Sequence, residues 1–269
     1  MRAIDKPYIG YLNTPVLWTG TPHGLDIKQF VMPKHAMATC NLTVEGQLRL
    51  GKLVERFVAY ELNQDDNIEI LIENIQIQQN KRTLGELDCI LKQADQLVHL
   101  EIVYKFYLYD PEVGTTELDH WIGPNRKDCL IDKLTKLKDK QLPLLYNPET
   151  KKHLDLLHIS LKNMVQQVYF KAQLFVPYGL KSPRFNVLNP DCIQGFYISY
   201  KALDLFKTCK FYMPKKIDWL CVIEPQIPWE TYTNFKKLIM PLMIRKTAPL
   251  CWVKHANGLT EKCFIVWWL

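Results

Sequence analysis

Between Gln47 and Leu62 the apolar residues Leu50, Leu53, Val54, Phe57 and Val58 fall three and four apart, a spacing that predicts an amphipathic helix over 47–62. The period then drops to two. Ile68, Ile70 and Ile72, followed by Ile75 and Ile77, alternate with one slip and predict a strand bulged near Glu73-Asn74. Two further strands are predicted over 85–92 and 97–108. After Gly123-Pro124 the helical period returns in Leu130, Leu134 and Leu137, with Asn125 placed to cap the helix and Asp128 in its first turn. Val168, Phe170, Ala172 and Leu174 then predict a strand over 166–176, so the order is helix, three strands, helix, strand.

Beyond Pro177 the pattern weakens to a strand at 195–199, a helix over 229–243 and a closing hairpin that turns at Asn257-Gly258. The first 40 or so residues, rich in Pro, Gly and aromatics without a sustained period, predict an irregular arm. No linker, composition shift or repeat divides the chain. The expectation is a single α/β domain spanning 1–269: an arm at 1–46, a core over about 47–176 and an elaborated half at 177–269.

With 269 residues, 48% of them hydrophobic, the chain can bury a substantial core. No window reaches the ~18 apolar residues of a membrane span, and Met1-Arg2-Ala3-Ile4-Asp5-Lys6 lacks the apolar stretch of a secretory signal, so a cytoplasmic location is expected. The sequon Asn41-Leu42-Thr43 carries little meaning there. Eight cysteines without a C-x-x-C pair and seven histidines without H-x-x-x-H spacing argue against zinc or redox chemistry. Also missing are G-x-S-x-G, the phosphate-cradling G-x-x-x-x-G-K and the dinucleotide fingerprint. The net charge of +6 would help a nucleic-acid partner without requiring one.

Candidate chemistry arises where the second and third strands meet. If they form a hairpin centred on Ala94-Asp95, residues whose numbers sum to 189 stand opposite each other, and Asp88 faces Glu101. Opposed side chains of an antiparallel pair have Cβ atoms about 5 Å apart, which sets two carboxylates side by side with Glu86 and Lys105 on the same face. Such a pair must protonate one member, gain a positive neighbour or bind a cation, and Mg²⁺ or Mn²⁺ suits oxygen-rich sites of this kind. The plainer alternative is a solvated sheet face on which Lys92, His99 and Lys105 are ordinary partners. A one-residue slip in register would part the two acids.

Gly85-Glu86-Leu87-Asp88, followed by His99-Leu100-Glu101-Ile102-Val103-Tyr104-Lys105, resembles the motif of the PD-(D/E)XK nuclease superfamily. That superfamily has a restriction-endonuclease-like core of helix, three-strand meander, helix and strand, which covers about 47–176 here. The whole chain also resembles the bacterial domain-of-unknown-function family 1853, through Glu101 to Leu108, Gly123-Pro124-Asn125 with the helix ending at Gln141-Leu142, and Ala248 to Trp268. The resemblance implies Asp88 and Glu101 as metal ligands, with Mg or Mn as the cofactor. It also implies a catalytic lysine two residues after the glutamate, but Val103 stands there and the lysine is Lys105. Four residues of strand span about 13 Å against about 7 Å for two, so Lys105 would have to reach back, and Lys133 is the alternative donor. Glu55 on the first helix matches a glutamate that often completes the metal site, and Gln141 matches a glutamine used near it. A solvated helix glutamate and an exposed helix end before Pro143 are the alternatives.

Arg126, Lys127, Lys133, Lys136, Lys138 and Lys140 form a basic run that suits either a phosphate backbone or bulk solvent, whereas Tyr104, Phe106 and Tyr107 at strand spacing suit the core. The expected function is a Mg- or Mn-dependent nuclease acting on nucleic acid, DNA in preference to RNA. The rival is an inactive nucleic-acid-binding or scaffold protein that keeps the fold.

Overall fold

The computed structural model describes residues 4–33, 42, 48–180 and 183–269; Cys40, the sequon residues Asn41 and Thr43, and Gln47 lie outside the described residues. In chain order the elements begin with α1 (Asp5–Asn13), α2 (Leu50–Leu62), β1 (Ile68–Gln79), β2 (Arg82–Gln93), β3 (Gln96–Tyr109) and β4 (Trp121–Ile122). There follow α3 (Leu130–Lys136), a π turn (Leu137–Gln141), a 3-10 turn (Leu142–Tyr146), α4 (Pro148–Leu156) and β5 (Val165–Pro177). The remainder holds β6 (Ile193–Ser199), β7 (Lys210–Tyr212), β8 (Glu230–Thr231), α5 (Tyr232–Ile244), β9 (Leu250–Lys254) and β10 (Thr260–Val266), with 3-10 turns between several of them. The protein is mixed α/β, its strands mostly antiparallel, and none of the described helices is long and apolar enough to cross a membrane.

The chain divides into two compact units. The first contains, of the described residues, 16–33, 42, 48–104 and 132–171, with strand order β1-β2-β3-β5. Its helix α2 follows from the predicted stripe: Leu53, Val54, Phe57, Val58 and Leu62 are all buried. The core of this unit joins Ile72, Ile77, Leu87 and Ile90 to Leu144, Leu145, Leu154 and Met164. The turn between β2 and β3 is Ala94-Asp95, with Ala94 at φ 50°, and the pairs Cys89↔Leu100, Ile90↔His99 and Leu91↔Val98 carry the register expected from it.

The bulge in β1 departs from expectation. The ladder slips at Leu71, between the pairs Ile70↔Leu91 and Ile72↔Ile90, rather than near Glu73-Asn74, although Asn74 does adopt φ 53°. The second predicted helix is also shorter, because Asn125 does not cap it. The Asn125 side chain instead accepts a hydrogen bond from the Ala248 N–H at 2.7 Å, and helical backbone begins only at Leu130. The buried stripe Leu130, Leu134 and Leu137 is as expected.

The second unit contains, of the described residues, 4–15, 105–131, 172–180 and 183–269, with strand order β5-β6-β10-β9-β7-β8 and β4 on β3. The pairs β5–β6 and β6–β10 are parallel, and β10–β9 is the predicted terminal hairpin, with Gly258 at φ 88° in its turn. Its core gathers Phe196, Phe206, Phe211, Phe235, Val253 and Ile265. The arm expected to be irregular includes a helix, α1, which escapes the periodicity test because Pro7 and Gly10 interrupt its apolar spacing. A Cβ on Gly10 would stand 1.8 Å from the Leu220 carbonyl oxygen, so α1 docks on backbone at the one position without a side chain. Gly10→Ala is therefore expected to cost at least about 2 kcal/mol, read as a lowered urea midpoint; an unchanged midpoint would mean that α1 adds nothing to stability.

Candidate active site

The site grows from the β2–β3 register in the first unit. The ladder is paired as far as Cys89↔Leu100, and Asp88 and Glu101 are the next residue on each strand. Asp88 is half-buried, and its Oδ2 accepts the Ile102 N–H at 2.9 Å. Burial, then the Glu101 carboxylate beside it, push the Asp88 carboxyl up to about 7; the Ile102 hydrogen bond opposes the shift, Glu55 adds to it and Lys133 opposes it.

Glu101 is fully buried, and its oxygens are taken by two different partners. Oε1 lies 3.2 Å from His99 Nε2, and Oε2 accepts from Gln141 Nε2 at 2.5 Å. Gln166 Nε2 stands 2.9 Å from His99 Nδ1 and also donates to the Leu142 carbonyl at 2.6 Å. With Gln166 donating to Nδ1, the ring proton sits on Nε2 and is given to Glu101. Gln141 in turn accepts from Lys133 Nζ at 2.6 Å. A hydrogen-bonded chain thus runs Gln166, His99, Glu101, Gln141, Lys133. The π turn at Leu137–Gln141 explains how Gln141 takes part, since it re-registers the residue that ends the helix.

Beside the pair, Lys52 Nζ donates to Glu55 Oε2 at 2.7 Å, to Glu86 Oε1 at 2.6 Å and to Asn74 Oδ1 at 2.9 Å. The Glu55 carboxyl is raised, chiefly by burial; Lys52 counters the shift, and Glu86 and Glu101 add to it. Among the described residues, no three His, Cys, Asp or Glu side chains are grouped closely enough to hold a metal ion. Glu55 has Lys52 as its hydrogen-bond partner.

Lys105, expected to reach back toward the acids, is bonded to Asp128 Oδ2 at 2.6 Å within the second unit. The direction of β3 explains this: four residues past Glu101 the chain has entered the other unit, where Asp128 supplies the nearest counter-charge. The basic run is likewise divided. Arg126 bonds Asp110 at 2.7 Å and lies over the Trp268 ring, whereas Lys136, Lys138 and Lys140 are exposed on the helical segment that carries Gln141. Tyr104, Phe106 and Tyr107 are buried, as strand spacing implied.

A family model described as a domain of unknown function, DUF1853, matches residues 28–266. The chain belongs to this family. No curated protein and no solved structure matches it. The DUF1853 match takes in all the residues of this candidate site, from Lys52 to Gln166.

Sequence reasoning named His99 only as an ordinary partner of the acids in the plainer alternative, and it missed Gln166. The signal for His99 was present, because residues two apart on a strand share a face and His99 is two before Glu101. Nothing local marks Gln166, whose role depends on β5 lying beside β3.

Proposed function

We propose that this protein is a metal-dependent nuclease of PD-(D/E)XK type, built on a restriction-endonuclease-like core formed by α2, β1 to β3, the α3 segment and β5. The observation that carries the reading is that Asp88 and Glu101 are the next residues after the Cys89↔Leu100 pair on the adjacent strands β2 and β3, with Asp88 held above its usual carboxylate range by burial and by the Glu101 charge. A half-buried carboxyl that ionises only near neutrality beside a second acid is a site that a hard cation would relieve, and one or two carboxylates with waters and phosphate oxygens are what Mg²⁺ or Mn²⁺ commonly takes. Asp88 and Glu101 would hold the ion, and a cation there supplies Lewis-acid charge to a phosphodiester.

The remaining chemistry is assigned to side chains. Lys133, whose charge already acts on Asp88, stabilises negative charge developing on the phosphate. Gln141 orients Glu101 and places Lys133 through its 2.6 Å hydrogen bond. His99 and Gln166 fix the direction of the Glu101 carboxylate. Lys136, Lys138 and Lys140 suit a phosphate backbone, with DNA favoured as substrate.

This assignment moves the catalytic cation from Lys105 to Lys133. Lys133→Ala is expected to lower the Mn²⁺-dependent cleavage rate about 10²-fold with metal affinity intact, while Lys105→Ala stays near wild type. Single-turnover cleavage of labelled duplex and single-stranded DNA checks this, and the reverse ranking would return the role to Lys105.

One observation favours the second reading, an inactive nucleic-acid-binding protein: both oxygens of Glu101 are already hydrogen-bonded by protein groups. Measured Mn²⁺ affinity separates the two. Binding that disappears in Asp88→Ala supports the nuclease, and nucleic-acid binding with no metal affinity supports the alternative.

A further inference from the structure

The second unit contains a cavity of about 670 Å³. Its walls include Tyr178, Phe196, Leu220 and Val222, with the neutral polar groups of Thr14 and Gln194. That volume falls within the ~300–1,000 Å³ range of small-molecule sites, and the mix of apolar wall with a few polar groups is their usual lining. Tyr178 and Val222 are about half exposed and form its rim.

One wall residue is out of place in an ordinary core. Lys262, on β10, is 7% exposed. Its Nζ donates to Gln173 Oε1 at 3.0 Å and to the Trp219 carbonyl at 3.1 Å, both neutral acceptors. Among the described residues no carboxylate lies within ion-pair distance of this ammonium. Glu261, the acid beside it in sequence, is bound to His255 at 2.8 Å. A buried charge is normally paired, and two carbonyls leave this one with a donor and a net charge to satisfy.

We propose that the cavity is a binding site for a small organic monoanion, a carboxylate on an apolar body, with its carboxylate on Lys262 and its body against Phe196 and Leu220. A single compact ammonium without an arginine fork suits one carboxylate better than a phosphate dianion, and Glu261 in the cavity wall weighs against a more highly charged ligand. Burial brings the Lys262 ammonium down to about 8, so its charge is present at neutral pH and lost in mild alkali. The titratable groups facing it are the Cys221 thiol, which acts to hold the proton, and Glu261 and Tyr178 in the walls.

The test is calorimetric titration of the full chain with straight-chain and phenyl-substituted monocarboxylates, each matched to its neutral amide, and with inorganic phosphate. At pH 7 at least one carboxylate is expected to bind ten-fold or more tightly than its amide and than phosphate, and affinity should fall about ten-fold per pH unit above pH 8. Lys262→Met should remove the preference for the carboxylate. Val222→Trp, at the exposed rim, should block carboxylate and amide alike, and it serves if Lys262→Met does not fold. The proposal is overturned if no carboxylate binds at 10 mM, if amides or phosphate bind as well, if affinity is unchanged from pH 7 to 9.5, or if both variants bind as wild type does.

Discussion

Glu101→Ala is expected to abolish metal-dependent cleavage of nucleic acid, with no residual rate above background at any Mn²⁺ concentration. The substitution removes one of the two acids proposed to hold the cation, and it also frees the groups that Glu101 now satisfies. His99 Nε2 at 3.2 Å and Gln141 Nε2 at 2.5 Å would both be left as buried donors without an acceptor, at roughly 1–3 kcal/mol each. Glu101→Gln controls for that cost, since an amide keeps the volume and one acceptor oxygen. Both variants should be inactive, with Glu101→Gln nearer to wild type in its unfolding midpoint. Cleavage assays on single- and double-stranded DNA and RNA, run beside metal titrations, give the readout. If wild type and both variants are equally inert while wild type still binds these nucleic acids, the catalytic assignment fails and the binding-module reading replaces it.

The parts of this site that sequence revealed are those fixed by local periodicity. The opposition of Asp88 and Glu101 follows from a symmetric hairpin about Ala94-Asp95, and the observed pair Cys89↔Leu100 has that register. Gln141 was singled out through the superfamily resemblance, but the means of its contact with Glu101 was not legible: the π turn at Leu137–Gln141 leaves no mark in apolar spacing. Lys105 illustrates the opposite case. Its position on β3 was right, yet its partner Asp128 lies in a loop whose path the sequence does not specify. α4 went unread although Asn147-Pro148 is a helix-start signal, and the Asn147 side chain does accept the Glu149 N–H at 2.9 Å. α1 could not have been found by period, because Pro7 and Gly10 break its apolar spacing, and its docking place on Leu220 lies far along the chain.

The second large effect is one of stability, and it has the opposite sign from most active-site changes. The Asp88 carboxyl lies at about 7 in the folded protein against 3.8 for the free group, so folding favours its protonated form. A group raised in this way contributes stability that is fully present below the unfolded value and is lost as pH rises through the folded one. Without metal, the wild-type protein should therefore lose stability between about pH 4 and pH 7. At about 1.4 kcal/mol for each pH unit separating the folded and free values, the loss from this one group is on the order of 4 kcal/mol. Asp88→Asn escapes it, because the amide carries no charge to bury beside Glu101 and its oxygen can still accept the Ile102 N–H. In EDTA the two proteins should have similar urea midpoints near pH 4, and the variant should be the more stable by a few kcal/mol at pH 8. Adding Mn²⁺ at pH 8 should then raise the wild-type midpoint and leave Asp88→Asn unchanged, since binding to the folded state alone stabilises it by mass action. Parallel midpoints from pH 4 to 8 would show that Asp88 ionises without strain. In the proposed site, a carboxyl held against burial and a like charge is one whose stability was given up for binding, and the separation of these two curves at pH 8 measures how much.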